Sequence, residues 1–108
     1  MTIPPARILV TDDDPLVLSA TVRLLTSAGY EVVSAMNGKQ TLQRIEEHHP
    51  DMLLLNATLP DIEGTEIYRH LKANELTADI FVVLLSGVRT RSADFSPGSN
   101  GKTRKTDS

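Results

Sequence analysis

Apolar residues fall along the chain in short runs, each followed by a stretch with helical spacing. The run "ARILVT" (6–11) is aliphatic and β-branched on both faces and predicts a buried strand. Asp14 is placed as a helix N-cap, with Pro15 at the first helical position, where its missing N–H costs nothing. Leu18, Val22 and Leu25 recur at helical spacing behind it, with Val17, Leu24 and Ala28 widening the stripe. Gly29 follows as the residue past the helix end. "YEVVSA" (30–35) predicts a second strand, and residues 37–49 a second helix ended by Pro50. "DMLLLN" (51–56) predicts a third strand, "GTEIYRHLKAN" (64–74) a third helix with Ile67 and Leu71 inward, and "DIFVVLLS" (79–86) a fourth strand.

Strands apolar on both faces, alternating with helices, predict a parallel sheet covered on both sides. With right-handed crossovers this is a doubly wound α/β fold, and the loops at the strand C-termini gather at one rim, where such sheets place their sites. From Arg89 onward the pattern stops. The segment is polar and basic with Phe95 as its one large apolar residue, which predicts a domain over 1–88 and a flexible tail over 89–108.

Composition narrows the function. The 108 residues allow one small domain, and a formal net charge of −3 argues against nucleic-acid binding by it. No cysteine is present, so there is neither a disulfide framework nor a Cys-type zinc site. No apolar run approaches the roughly 18 residues of a membrane span, and "MTIPPAR" has no apolar leader core, so the expected location is the cytoplasm.

The chemistry-bearing residues collect at the predicted rim. Asp12, Asp13 and Asp14 follow the first strand, and crowded carboxylates at a strand end repel unless they share a cation. Asp14 is accounted for as a helix cap; Asp12 and Asp13 are candidates for a magnesium site. Asn56 ends the third strand, followed by the turn-formers Pro60 and Gly64, and Ser86 ends the fourth. His48, His49 and His70 read as surface residues, because adjacent helical histidines diverge in direction. Thr58 has a hydroxyl near Asn56 but no evident base to activate it.

With these residues in place, the sequence resembles the receiver domains of two-component response regulators over about residues 6–88. "ILVTDDDP" (8–15), "PDMLLLNATLPDIEG" (50–64) and "VVLLSG" (82–87) carry the resemblance. It implies a flavodoxin-like sheet of order 2-1-3-4, magnesium held by Asp12 and Asp13, and a phosphoryl contact from Ser86. The phosphoacceptor aspartate of that family falls on Asn56. The partners implied are a sensor histidine kinase or another signalling domain. Two departures stand out. A neutral amide is a poor nucleophile and a weaker ligand than a carboxylate, so magnesium is expected to bind weakly or not at all, and phosphoryl transfer to position 56 to fail. The family's fifth strand, its Lys and its last helices also have no counterpart, since Lys102 and Lys105 follow no apolar strand.

The expected function is a signalling module acting by protein contacts, not an enzyme. The sheet face left short of a helix is expected to give a homodimer or an exchanged element. The enzymatic alternative is a magnesium-dependent phosphohydrolase using Asp12 and Asp14. It lacks the Gly-Thr-like turn at Pro15 and Leu16 and a later Lys or acidic cluster. A dinucleotide site fares worse still, because no Gly-rich turn follows the first strand.

Overall fold

A computed structural model describes residues 3–85. Ser86, the tail 89–108 and the region expected to lack the fifth strand lie outside the described residues. Within them four strands alternate with three helices: β1 (Arg7–Thr11), α1 (Pro15–Ser27), β2 (Glu31–Ala35), α2 (Gly38–His48), β3 (Met52–Asn56), α3 (Gly64–Ala73) and β4 (Phe81–Leu85). All strand pairs are parallel and the order is β2-β1-β3-β4, as expected from the sequence.

Alternation along the strands sorts their side chains onto two faces. Leu9, Leu53 and Leu55 face α2 and α3, where Ile45, Ile67, Leu71 and Ile80 close the main core. Ile8, Val10, Met52 and Leu54 face the other way, where Leu18, Val22 and Leu25 of α1 cover part of them. Leu9, Leu53 and Leu55 have no measurable exposure, so the central strands are sealed on the α2/α3 side.

The helix ends follow local chemistry. The Asp14 carboxylate accepts from the Leu16 N–H, and Gly29 turns out of α1 at φ +100°. Asn37 caps α2 by accepting from the Gln40 N–H, while the Gln40 side chain accepts from the Met36 N–H, a reciprocal pair at the helix start. Helix α2 ends one residue earlier than its expected stop before Pro50, because His49 adopts a left-handed conformation at φ 49°. A Lys on α3 closes the α3–β4 connection: Lys72 Nζ donates to the Ala78 and Ile80 carbonyls. At the same end of the sheet, Arg7 ties three strand regions together. Its backbone N–H donates to Asp51, one guanidinium nitrogen to Glu31 and another to the His48 carbonyl.

Candidate functional site

The register fixes which polar groups meet at the rim. Thr11 pairs with Leu55, so Asp12, one residue on, stands level with Asn56 on the neighbouring strand. Asp12 is 8% exposed and Asn56 6%, so both polar side chains sit in the protein rather than in solvent. Asp12 Oδ1 accepts from the Asp14 N–H at 2.9 Å, which curls the acidic loop over the end of β1. Asp14 itself is turned to the start of α1.

The Asn56 amide has a defined orientation. Its Oδ1 accepts from the Thr58 N–H at 3.1 Å, and its Nδ2 donates to Asp13 Oδ1 at 3.4 Å. A backbone N–H demands an acceptor and a carboxylate demands a donor, so the two partners assign the two ends of the amide. The nitrogen, not the oxygen, faces the acids.

Two supports bind this rim to α2, and neither was read from the sequence. Thr11 and Thr41 are fully buried with their hydroxyl oxygens 2.8 Å apart, and Thr41 donates to the Asn37 carbonyl at 2.7 Å. Each hydroxyl has one proton, so Thr11 donates to Thr41 and the relay runs from the end of β1 to the cap of α2. From the other side, the Asp61 carboxylate accepts from the Gly38 N–H at 2.8 Å and the Lys39 N–H at 3.0 Å. Those are free donors at the positive end of α2, where an anion is favoured. The signal for Asp61 was present in "LPDIEG", but nothing in one sequence says which helix an acidic loop residue will reach.

The hydrogen bond from Gly38, joined by that from Lys39, holds the Asp61 carboxyl below its ordinary pKa, against a smaller opposing effect of desolvation. A depressed carboxyl contributes stability above its unfolded pKa and loses it as pH falls through the folded value. Asp61→Asn is therefore expected to lower stability near neutrality, with the difference from the wild-type chain vanishing as pH falls below about 4, so that the acid limb of its stability curve is flatter. Denaturant midpoints measured across the acid range test this; parallel curves for the two proteins would show that Asp61 holds nothing.

Gly64 closes the loop. Its N–H donates to the Ala57 carbonyl at 2.7 Å, and a Cβ there would lie 2.7 Å from the Ala57 Cα and 2.8 Å from the Asn56 carbonyl oxygen. Of the site residues read from the sequence, Asp13 and Asn56 are in contact, Asp12 is alongside, and Pro60 and Gly64 lie on the connecting loop. Ser86 lies outside the described residues.

A hard divalent cation wants several oxygen donors. Asp12 and Asp13 supply carboxylates, and the Asn56 amide presents its NH₂ to Asp13. Among the described residues no three His, Cys, Asp or Glu side chains gather as a metal site. The donor set fits a divalent cation only as a two-acid site.

The model of the response regulator receiver domain matches residues 8–96. The chain belongs to this family. The receiver is 38% identical over 79 residues to the phosphate regulon transcriptional regulatory protein PhoB of Pseudomonas aeruginosa, an alignment covering 73% of this chain and 34% of PhoB. The receiver thus spans about a third of the length of such curated relatives. Among solved structures it is similar to a putative response regulator of Chloroflexus aurantiacus, with 31% identity, TM-score 0.73, and coverage of 89% of this chain and 81% of that one. It is also similar to response regulator TrrA of Thermotoga maritima, solved in complex with Mg²⁺–BeF, with 30% identity, TM-score 0.70, and coverage of 81% and 75%. The receiver is therefore a signal-transduction module of the two-component type, with the flavodoxin-like sheet that its sequence implied. Among the described residues no helix is long and apolar enough to cross a membrane.

Proposed function

We propose that this receiver signals through protein contacts, with Asn56 standing at the phosphoacceptor position and phosphoryl transfer to it lost. The observation that supports this reading is the orientation of the Asn56 amide. Its oxygen is engaged by the Thr58 N–H and its nitrogen is directed at Asp13. An amide nitrogen has its lone pair delocalised into the carbonyl, and the oxygen is uncharged, so neither end is a competent nucleophile toward phosphorus.

In this reading Asp12 and Asp13 are the residues that would hold magnesium, which when bound would neutralise charge on the oxygens of a phosphoryl donor. Asn56 gives the acids a hydrogen-bond donor where a carboxylate would add a third negative charge, so the need for a cation is weakened together with the affinity for one. Pro60 and Gly64 shape the loop, and the phosphoryl contact assigned to Ser86 by resemblance completes the site. The partners are a sensor histidine kinase or another signalling domain. The phosphohydrolase alternative is disfavoured because Asp14, its second carboxylate, is spent on the cap of α1.

The test is incubation of the whole chain with a small acyl phosphate and magnesium, followed by intact mass. No gain of a phosphoryl group is expected. A stable adduct mapped to Asn56 would refute the proposal.

A further inference from the structure

Helix α2 begins on the dipeptide Asn37–Gly38, and the two residues are there for different reasons. Asn37 is the N-cap, its Oδ1 accepting from the Gln40 N–H at 2.8 Å. Gly38 is buried against the β3–α3 loop, and a Cβ there would lie 2.9 Å from both Cβ and Cδ1 of Ile62. Position 38 therefore takes glycine for want of space. Position 37 has no such need of asparagine, since Ser or Thr also caps a helix well.

An asparagine followed by glycine is a reactive pair. The Gly38 nitrogen loses its proton to hydroxide and bonds to Asn37 Cγ; the Cγ–Nδ2 bond breaks, and ammonia leaves with a proton from water. The cyclic imide then takes up water at one of its carbonyls and opens to aspartate or, with the main chain rerouted through the side chain, to isoaspartate. Glycine favours the reaction because it has no side chain to crowd the nitrogen and it turns freely. In the folded chain both requirements of ring closure are opposed. The imide is nearly planar, so the Gly38 nitrogen must come close to eclipsing Asn37 Cβ, and the extended backbone at ψ 177° does not place it there. Rotation would pull the Gly38 N–H off Asp61 Oδ1, 2.8 Å away, while the Lys39 N–H is held by Asp61 Oδ2 at 3.0 Å. A carboxylate on the N–H also disfavours the amide anion by like-charge repulsion. Asp61 does not act as the base instead, because the Gly38 bond holds its carboxyl below the ordinary pKa.

We propose that Asn37–Gly38 is a self-modification site of this chain and that Asp61 is the latch that keeps it closed. Once the latch opens, the reaction alters the start of α2 irreversibly. The Asn37 carbonyl accepts from the Thr41 N–H at 3.0 Å and from the Thr41 hydroxyl at 2.7 Å, and Thr41 in turn meets Thr11 at the end of β1. Isoaspartate lengthens the main chain by one carbon at this point and turns that carbonyl into a free carboxylate, so both bonds are displaced. Either product also puts a negative charge at residue 37, beside the N–H that the Asp61 carboxylate holds. The modified chain therefore loses the tie between α2 and the rim. This inference is independent of the chemistry assigned to Asn56.

The test is ageing of the whole chain in warm, mildly alkaline buffer, with the products at residue 37 resolved by peptide mapping. Asn100–Gly101, the same dipeptide, normalises each sample for buffer and temperature. Product at residue 37 is expected to form roughly tenfold faster in urea than in the folded wild-type chain, and Asp61→Ala is expected to recover most of that rise without denaturant. Asp61→Asn keeps the shape and one acceptor and is expected to fall between the two. Circular dichroism confirms that each variant is folded; should Asp61→Ala not fold, Asp61→Asn carries the comparison. Adding Asn37→Ser keeps the cap but removes the amide, so ageing should lower the melting temperature of Asp61→Ala and not that of the double variant. A folded Asp61 variant that modifies no faster than the wild-type chain would overturn the latch, and an Asn37 that stays intact in urea would overturn the site. Equal falls in melting temperature for the single and double variants would show that the modification does not loosen α2.

Discussion

Asn56→Asp is expected to make the protein depend on magnesium for stability. The introduced carboxylate keeps the bond from the Thr58 N–H through one oxygen, and its other oxygen takes the place of Nδ2, now 3.4 Å from Asp13 Oδ1. A weak attraction becomes a repulsion between two anions. At an effective dielectric constant of about 20, unit charges at that separation repel by roughly 5 kcal/mol. Side-chain movement and partial protonation relieve part of it, leaving a net loss of about 2 kcal/mol without metal. For a domain of this size that is a fall of roughly 10 °C in melting temperature. Millimolar magnesium should restore most of it, because a cation held by three carboxylates stabilises the folded state that binds it. The Asn56 protein should melt within about 2 °C of the same temperature with magnesium or with a chelator, since its amide already supplies Asp13 with a donor. Equal responses of the two proteins would show that Asn56 does not substitute for a cation. The same variant, given an acyl phosphate, tests whether the rest of the site is competent: the carboxylate attacks phosphorus, the donor's acyl oxygen leaves with the bonding pair, and an aspartyl phosphate forms.

The features legible in the sequence were those set by local patterning. Apolar runs of five or six residues gave all four strands, and Asp14–Pro15 and Gly29 marked both ends of α1, because those signals act within a few residues. The end of α2 was misread by a residue: Pro50 forbids continuation, but His49 makes the turn, and a non-glycine residue at positive φ leaves little trace in sequence. At the site, the sequence brought Asp13 and Asn56 to one rim through strand order alone. It did not give the orientation of the Asn56 amide, which depends on a backbone N–H two residues on and a carboxylate 43 residues away. The Thr11–Thr41 pair was hidden for a related reason. Each threonine alone suits its strand or helix surface, and only the packing of α2 against β1 turns two ordinary residues into a buried hydroxyl relay.

Gly64→Ala is expected to be the most damaging glycine-to-alanine change among the described residues. Alanine is intrinsically better than glycine in a helix by about 1 kcal/mol, so the substitution would stabilise α3 if space allowed. Space does not allow. The new Cβ would lie 2.7 Å from the Ala57 Cα, 2.8 Å from the Asn56 carbonyl oxygen and 3.1 Å from the Ala57 carbonyl oxygen. All three are backbone atoms, and moving them lengthens the 2.7 Å bond from the Gly64 N–H to the Ala57 carbonyl. Ala57 is also tied to β4, its N–H donating to the Leu85 carbonyl at 2.8 Å, so the loop cannot retreat without opening the β3–β4 edge. A net loss of about 2–3 kcal/mol follows, or roughly 10–20 °C in melting temperature. Gly29→Ala is the control. Nothing lies within 4 Å of its Cβ, and only its φ of +100° opposes a side chain, so about 1–2 kcal/mol is expected there. A Gly64→Ala protein as stable as the Gly29→Ala protein would mean that the β3–α3 loop yields easily. If it is rigid instead, displacing Ala57 also pulls the Thr58 N–H from Asn56 Oδ1. The amide is then free to rotate, and its oxygen can face Asp12 and Asp13. Magnesium affinity, measured by calorimetry, should then rise in Gly64→Ala relative to the wild-type chain even as stability falls. That opposite movement separates a loop that sets the amide's orientation from one that only packs.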